Sequence, residues 1–279
     1  MDNEEFLLLA KLIGIWLKLG MGRIFSGLVS ITFRHLAPQE ITNLVSQAGL
    51  EGIEWGGDVH VPHGDKEKAL EVARMTQDAG LRVVSYGSYY RVGSSEGEGL
   101  SFHQVLETAL ALGAPSVRVW AGICGSKQCE VSSRSWVVEE CRRIAVLAAQ
   151  EGLSVLTEYH TGTLTDCADS AVELMKSVGQ PTFHSLWQVC SQESALVNKQ
   201  SLEAIRPWLT HLHVNHWSLN SFQRLPLSEG EDQWLGYLRQ AALVEGERYA
   251  LLEFVQGDQP EAFLRDAAML KSWLQEINS

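Results

Sequence analysis

A chain of 279 residues and 30.9 kDa can bury a large core without disulfide or metal staples. It is 45% hydrophobic and 20% charged with only 7 prolines, which excludes a disordered or collagen-like protein. Acidic residues outnumber basic ones, 34 to 22, for a net charge of −12 with no basic run, which argues against a nucleic-acid partner.

The N-terminal stretch FLLLAKLIGIWLKL (6–19) is interrupted by Lys11 and Lys18, so it is too short and too charged to span a bilayer. Asp2, Glu4 and Glu5 precede it and no A-x-A site follows, unlike a secretory signal. Two readings stand for residues 1–20. They form an amphipathic helix lying on the body of the protein, or they are an upstream extension and Met21 is the natural start. Residues 21–279 are read as one domain.

From residue 24 onward, short apolar runs alternate with segments of helical period. IFSGLVSITF (24–33) precedes a helix opened by Pro38 and stopped at Gly49. LEGIEW (50–55) precedes one ending at Gly80, and LRVVSY (81–86) one ending at Gly113. Then come APSVRVWAG (114–122) with helix 133–152, LSVLTEY (153–159) with helix 165–179, and PTFHSLWQV (181–189) with helix 199–206. LTHLHVNHW (209–217) is followed by a helix near 229–242, and RYALLEFV (248–255) by the closing helix. Eight β-then-α units in ~250 residues predict a single closed (β/α)₈ barrel. An open doubly wound sheet is the runner-up, but the first strand-to-helix turn, TFRHLAPQE, has no G-x-G-x-x-G loop.

In such a barrel chemistry sits at the C-terminal ends of the strands. Glu158 and Glu253 each follow an apolar strand, where a carboxylate needs a counter-ion or a metal. His211 and His213 face the same side of their strand. One histidine and two glutamates converging on the mouth suit Mg²⁺, Mn²⁺, Co²⁺ or Zn²⁺. The bland readings are a buried, hydrogen-bonded His211, a Glu54 paired with Arg34 or Arg118, and tryptophans that merely pack. The five cysteines lie in no paired framework, and Cys124 and Cys129 are too far apart for a zinc-knuckle CxxC. Reduced thiols and a cytoplasmic location are expected.

The segments GIEWGGDVHVPHGD (52–65), YGSYYR (86–91), VRVWAG (117–122), EYHTGTLTD (158–166), LWQ (186–188), HLHVNHW (211–217) and LLEFV (251–255) resemble the sugar phosphate isomerase/epimerase family of xylose-isomerase-like TIM barrels. The resemblance runs from about residue 26 to the closing helix. It implies one divalent metal ion held by Glu158, a strand-6 residue, His213 and Glu253. The strand-6 position falls on Gln188, where the commoner pattern has Asp, so one ligand charge is missing. The DNA-repair branch of the superfamily needs more ligands than this chain matches.

The expected function is isomerisation or epimerisation of a small sugar, sugar phosphate or polyol derivative, by proton abstraction next to a carbonyl. Glu158 and Glu253 would transfer protons as well as ligate. Glu54, His60, Tyr86, Arg118, Trp120 and His160 would bind the carbohydrate. Two alternatives remain, an inosose-type dehydratase and a catalytically silent sugar-binding barrel. The partner is a small molecule and not a membrane, with room for a homo-oligomer.

Overall fold

The structure is a computed structural model that describes residues 22–219 and 223–279. The expected N-terminal helix lies outside the described residues.

Eight parallel strands close into a barrel in sequence order. They are β1 (Arg23–Val29), β2 (Gly52–Gly56), β3 (Arg82–Arg91), β4 (Ser116–Trp120), β5 (Ser154–Glu158), β6 (Phe183–Gln188), β7 (Leu209–Val214) and β8 (Glu247–Leu252). The helices that follow them are α1 (Pro38–Ala48), α2 (Lys66–Asp78), α3 (Phe102–Leu112), α4 (Val131–Gln150), α5 (Ala168–Val178), α6 (Ala195–Ile205), α7 (Glu231–Ala242) and α8 (Pro260–Asn278). Pairing of β1 with β8, from Arg23↔Glu247 to Leu28↔Leu252, shuts the barrel. The expected (β/α)₈ architecture is therefore the observed one. Helix ends follow the chemistry of the sequence. Ser101 caps α3 by accepting from Gln104 N, and Gly113 ends it at φ +71, a conformation glycine adopts without a Cβ clash.

Two details differ from the strand pattern. The run 24–33 is not all strand, because after Val29 the chain turns through a 3₁₀ segment, Ser30–Phe33. β3 is ten residues long and reaches Arg91, past the expected end at Tyr86. Its register shifts against β4 between Gly87 and Tyr90, leaving Ser88 and Tyr89 as extra residues.

The apolar core has two parts. The larger lies between strands and helices and includes Ile53, Trp55, Val119, Val155, Trp187, Leu212 and Leu252. The smaller fills the barrel interior with Phe25, Val29, Ile31, Val84, Tyr249 and Leu251, and Tyr89 and Phe254 pack against it. Above this plug the interior becomes polar, which is where the site lies. All five cysteines are free. No helix among the described residues is long and apolar enough to cross a membrane.

His211, partly buried in the interior, accepts a hydrogen bond from Tyr249 N through Nδ1 (3.2 Å). Burial is the main cause that lowers its pKa from 6.5 to about 4. Below pH 6.5 the unfolded chain takes up a proton that folded His211 refuses, so this stability is present above pH 6.5 and is lost as pH falls toward 4. Urea unfolding should show about 2 kcal/mol lost at this position between pH 7 and pH 5. His211→Gln, which keeps an acceptor without a titrating group, should lose correspondingly less over the same interval.

Candidate metal centre and barrel mouth

Glu158, His213 and Glu253 point inward from the upper ends of β5, β7 and β8, and all are buried. One ligand atom from each lies within 4.8 Å of the others. His213 Nδ1 is 3.4 Å from Glu253 Oε2 and 3.7 Å from Glu158 Oε1. Neither His213 Nδ1 nor Glu253 Oε2 makes a hydrogen bond, although both are sealed from solvent. Buried polar atoms rarely go without a hydrogen bond, and one imidazole with two carboxylates is a donor set that fits a divalent ion.

The surroundings fix these ligands. Arg118, from β4, donates through Nε to Glu54 Oε1 (3.1 Å) and through Nη1 to Glu158 Oε2 (2.8 Å). Trp120 Nε1 also donates to Glu158 Oε2 (2.5 Å), and Gln188 Nε2 donates to Glu158 Oε1 (2.8 Å). Glu54 further accepts from Ser85 Oγ, and its Oε2 lies 3.4 Å from His213 Nε2. A carboxylate behind an imidazole orients the ring and raises its basicity as a ligand. Gly87 makes the crossing possible, since a Cβ there would stand 2.7 Å from Arg118 Nη2 and 2.9 Å from Glu54 Oε1.

Burial alone would raise the pKa of Glu54, but the charges of His213 and Arg118 outweigh it and hold it at about 2. Glu158 is likewise held well below the usual carboxylate range, because Arg118 and His213 overcome its desolvation. His213 is pushed the other way, well above the usual imidazole value, by Glu253 and Glu54 against burial.

An aromatic wall surrounds the opening. Trp120 packs on His160 at a tilt of 31° (4.9 Å) and edge-on to Tyr89 (5.3 Å), and Trp217 meets Phe254 (5.9 Å). His160 Nδ1 lies 2.6 Å from the Thr161 carbonyl oxygen. That oxygen only accepts, so Nδ1 carries a proton, and Nε2 has no hydrogen-bond partner among the described residues. Beside His160 and Gln188 is a cavity of about 190 Å³, bounded also by Asp166, Trp217 and Phe254.

Of the substrate-binding residues expected from the sequence, Trp120 and His160 stand at the mouth. Glu54 and Arg118 are sealed beneath it at 0% and 1% exposure and touch the ligands instead. Tyr86 and His60 are corrections, since the structure does not bring either to the site. Tyr86 Oη donates to the Val61 carbonyl and meets His63 Nδ1, on the outer side of the barrel wall. Both ring nitrogens of His60 are engaged, by Ser30 Oγ and the Phe33 carbonyl. The reason for the first is an earlier register shift of β3, against β2 between Ile53 and Glu54, where Val84 is the extra residue, so that Ser85 pairs with the inward Glu54 and Tyr86 with the outward Trp55. Tyr89 was legible only as one of several polar residues near a strand end.

A (β/α)₈ barrel carries its functional groups at the C-terminal ends of its strands, and Glu158, His213 and Glu253 converge there. This chain belongs to the xylose isomerase-like TIM barrel family, whose model matches residues 43–273. A 3-dehydroshikimate dehydratase of Bacillus anthracis is 27% identical over 208 residues, 68% of this chain and 71% of the relative. The crystal structure of the probable 3-DHS dehydratase AsbF from Bacillus anthracis superposes with a TM-score of 0.73 at 22% identity, covering 89% of this chain and 98% of that one. A xylose isomerase-like TIM barrel protein from Mycobacterium smegmatis, in complex with magnesium, gives a TM-score of 0.72 at 15% identity over 92% and 98% of the two chains.

Two substitutions probe the charge arrangement. Arg118→Met leaves Glu54 and Glu158 buried without their cation and should cost about 3–5 kcal/mol in urea unfolding. Gln188→Asp sets a carboxylate against Glu158 and should lower the melting temperature of chelator-treated protein. The same variant should gain more stability than wild type on adding Mn²⁺.

Proposed function

We propose that this chain is a metal-assisted dehydratase acting on a small cyclic hydroxy-keto acid of the 3-dehydroshikimate kind. The observation that carries the reading is the buried Glu158–His213–Glu253 group, two of whose ligand atoms make no hydrogen bond, in a chain similar to a curated dehydratase. The isomerase or epimerase expected from the sequence shares the first step, proton removal next to a carbonyl. The relative favours the branch that ends in loss of water.

Glu158, His213 and Glu253 would hold the ion, with Gln188 beside them. The ion, when bound, supplies Lewis acidity toward a carbonyl oxygen. Glu158 serves poorly as a base, because three donors occupy its oxygens. His160 is better placed, with Nε2 free and its ring held against Trp120. It takes the proton from the carbon next to the ketone.

The substrate's carboxylate needs a cation at the rim. Besides the sealed Arg118, three arginines stack on mouth aromatics: Arg34 on Tyr89 (6.0 Å), Arg91 on Trp120 (4.3 Å) and Arg224 on Phe254 (4.8 Å). Arg34 is paired with Asp58 and Arg224 with Asp258. Arg91 has no ion-pair partner among the described residues, and we assign it to the carboxylate.

Incubation with Mn²⁺ and 3-dehydroshikimate should yield the dihydroxybenzoate that loss of one water gives, followed by ultraviolet absorbance. Recovery of unchanged substrate without deuterium uptake in D₂O, with metal bound, would sink the reading. Chelation should abolish turnover. His160→Gln should fold normally and lose about 10²- to 10⁴-fold in rate, the usual effect of deleting a positioned base. Glu253→Gln should instead show weaker Mn²⁺ binding, with loss of rate that excess metal partly restores.

A further inference from the structure

Tyr89 is one of three non-glycine residues with positive φ among those described, at +56°. L side chains avoid this region because Cβ crowds the following carbonyl oxygen. Strain of this kind persists where surrounding structure imposes it, and it concentrates at functional sites. Here the imposing structure is visible. The register of β3 against β4 jumps from Gly87↔Arg118 to Tyr90↔Val119, so Ser88 and Tyr89 have no partner in the ladder. Ser88 Oγ is tied to the Arg118 carbonyl (2.7 Å) and accepts from Tyr90 N (3.2 Å), which locks the irregularity in place.

The result is a phenol set over the centre of the mouth. The Tyr89 ring lies against the Arg118 guanidinium (4.6 Å) and edge-on to Trp120 (5.3 Å), the two residues that both donate to Glu158 Oε2. Below, it packs on the interior apolar plug. Its Oη accepts from Arg34 Nη2 (2.9 Å), and Arg34 is itself held by Asp58 (3.0 Å). One lone pair is therefore used, while the hydroxyl proton has no acceptor among the described residues.

We propose that Tyr89 is the catalytic proton donor to the departing hydroxyl, the residue that turns enolate formation into loss of water. This rests on the dehydratase reading given above. His160 removes the proton next to the ketone, and the C–H electron pair becomes the enolate. The enolate pair then forms the new C=C bond as the ketone is restored and the C–O bond on the next carbon breaks. The leaving oxygen takes the Tyr89 proton and departs as water. The resulting phenolate sits beside Arg34 and Arg118. The proton held by His160 returns to it through solvent, so the enzyme ends as it began and no oxidant or co-reactant is required.

The test separates the two half-steps. Wild type and Tyr89→Phe, each loaded with Mn²⁺, are incubated with 3-dehydroshikimate in D₂O. Product is followed by absorbance and deuterium in recovered substrate by NMR. Tyr89→Phe keeps the ring and its packing. It should lose about 10²-fold or more in product formation while washing deuterium into the carbon next to the ketone. Product formation within about threefold of wild type overturns the proposal by the same scale. So does joint loss of exchange and dehydration with melting temperature and Mn²⁺ binding unchanged, which would make Tyr89 a positioning residue. Arg34→Met, which leaves the phenol and removes the cation beside it, gives the same split in weaker form if Tyr89→Phe is unstable. Wild type that neither exchanges nor dehydrates refutes the dehydratase reading, and this inference falls with it.

Discussion

The site depends on the Arg118 guanidinium being held between two carboxylates that have no access to water. Its side chain is 2% exposed, and Glu54 and Glu158 are 0% and 4% exposed. Burying a carboxylate is costly unless it is paired and hydrogen-bonded, and a third one, Glu253, stands beside them. Arg118 meets the cost for two of the three, and it does so because Gly87 leaves its path open. The remaining charge falls on His213 and on whatever occupies the gap between it, Glu158 and Glu253. Three carboxylates, one guanidinium and a divalent ion cancel when His213 is neutral, as a ligand imidazole must be. A fourth carboxylate would leave an excess of one negative charge. This gives Gln188 a physical reason to be uncharged. Its amide donates to Glu158 and fixes that ligand without adding a charge the site cannot balance.

The same arrangement divides the barrel interior into layers with different tasks. The lower layer is an apolar plug, and its aromatic members Phe25 and Tyr249 stack at 5.4 Å. The middle layer carries the charges. The upper layer is aromatic again, built from Tyr89, Trp120, His160, Trp217 and Phe254. Two of these, Tyr89 and Phe254, have positive φ and pack down onto the plug. Phe254 directly follows Glu253, and its N–H donates to Thr32 Oγ1 (3.1 Å), so the turn that displays the aromatic also places the carboxylate. Strand ends thus carry the charged layer, while two of the five residues of the aromatic layer above it, Tyr89 and Phe254, sit on strained backbone.

That division explains what the sequence could and could not reveal. The barrel was legible because buried parallel strands read as short apolar runs, and because helices stop at Gly49, Gly80, Gly113 and Gly179. Glu158, His213 and Glu253 were legible because each follows such a run and alternation along a strand is regular. The extra residue Val84, where β3 slips against β2, breaks that alternation. Counting from Val84 in steps of two assigns Tyr86 to the mouth, whereas the chain turns it outward and brings Tyr89 in. His60 was misplaced for a related reason. Loop residues have no period, and only the fold shows that Ser30 and Phe33 enclose its ring. The choice of Arg118, not Arg34, as the partner of Glu54 was open in the sequence, because both lie at strand ends. The inward direction of β4 settles it.

Isomerisation, epimerisation and dehydration on this scaffold begin alike, with a base beside an activated carbonyl. What separates them is where the next proton comes from. An epimerase must return it to carbon from the other face, and an isomerase must return it to the neighbouring carbon. A dehydratase must deliver it to a departing oxygen. The charged layer cannot make this choice, since its groups are fixed by one another. The choice belongs to the mouth, where His160 and Tyr89 flank Trp120 with one free lone pair and one free hydroxyl proton. On the dehydratase reading, divergence of reaction within such a barrel needs no change in the charged layer. It rests on what the mouth offers, and there Tyr89 stands at the register shift of β3.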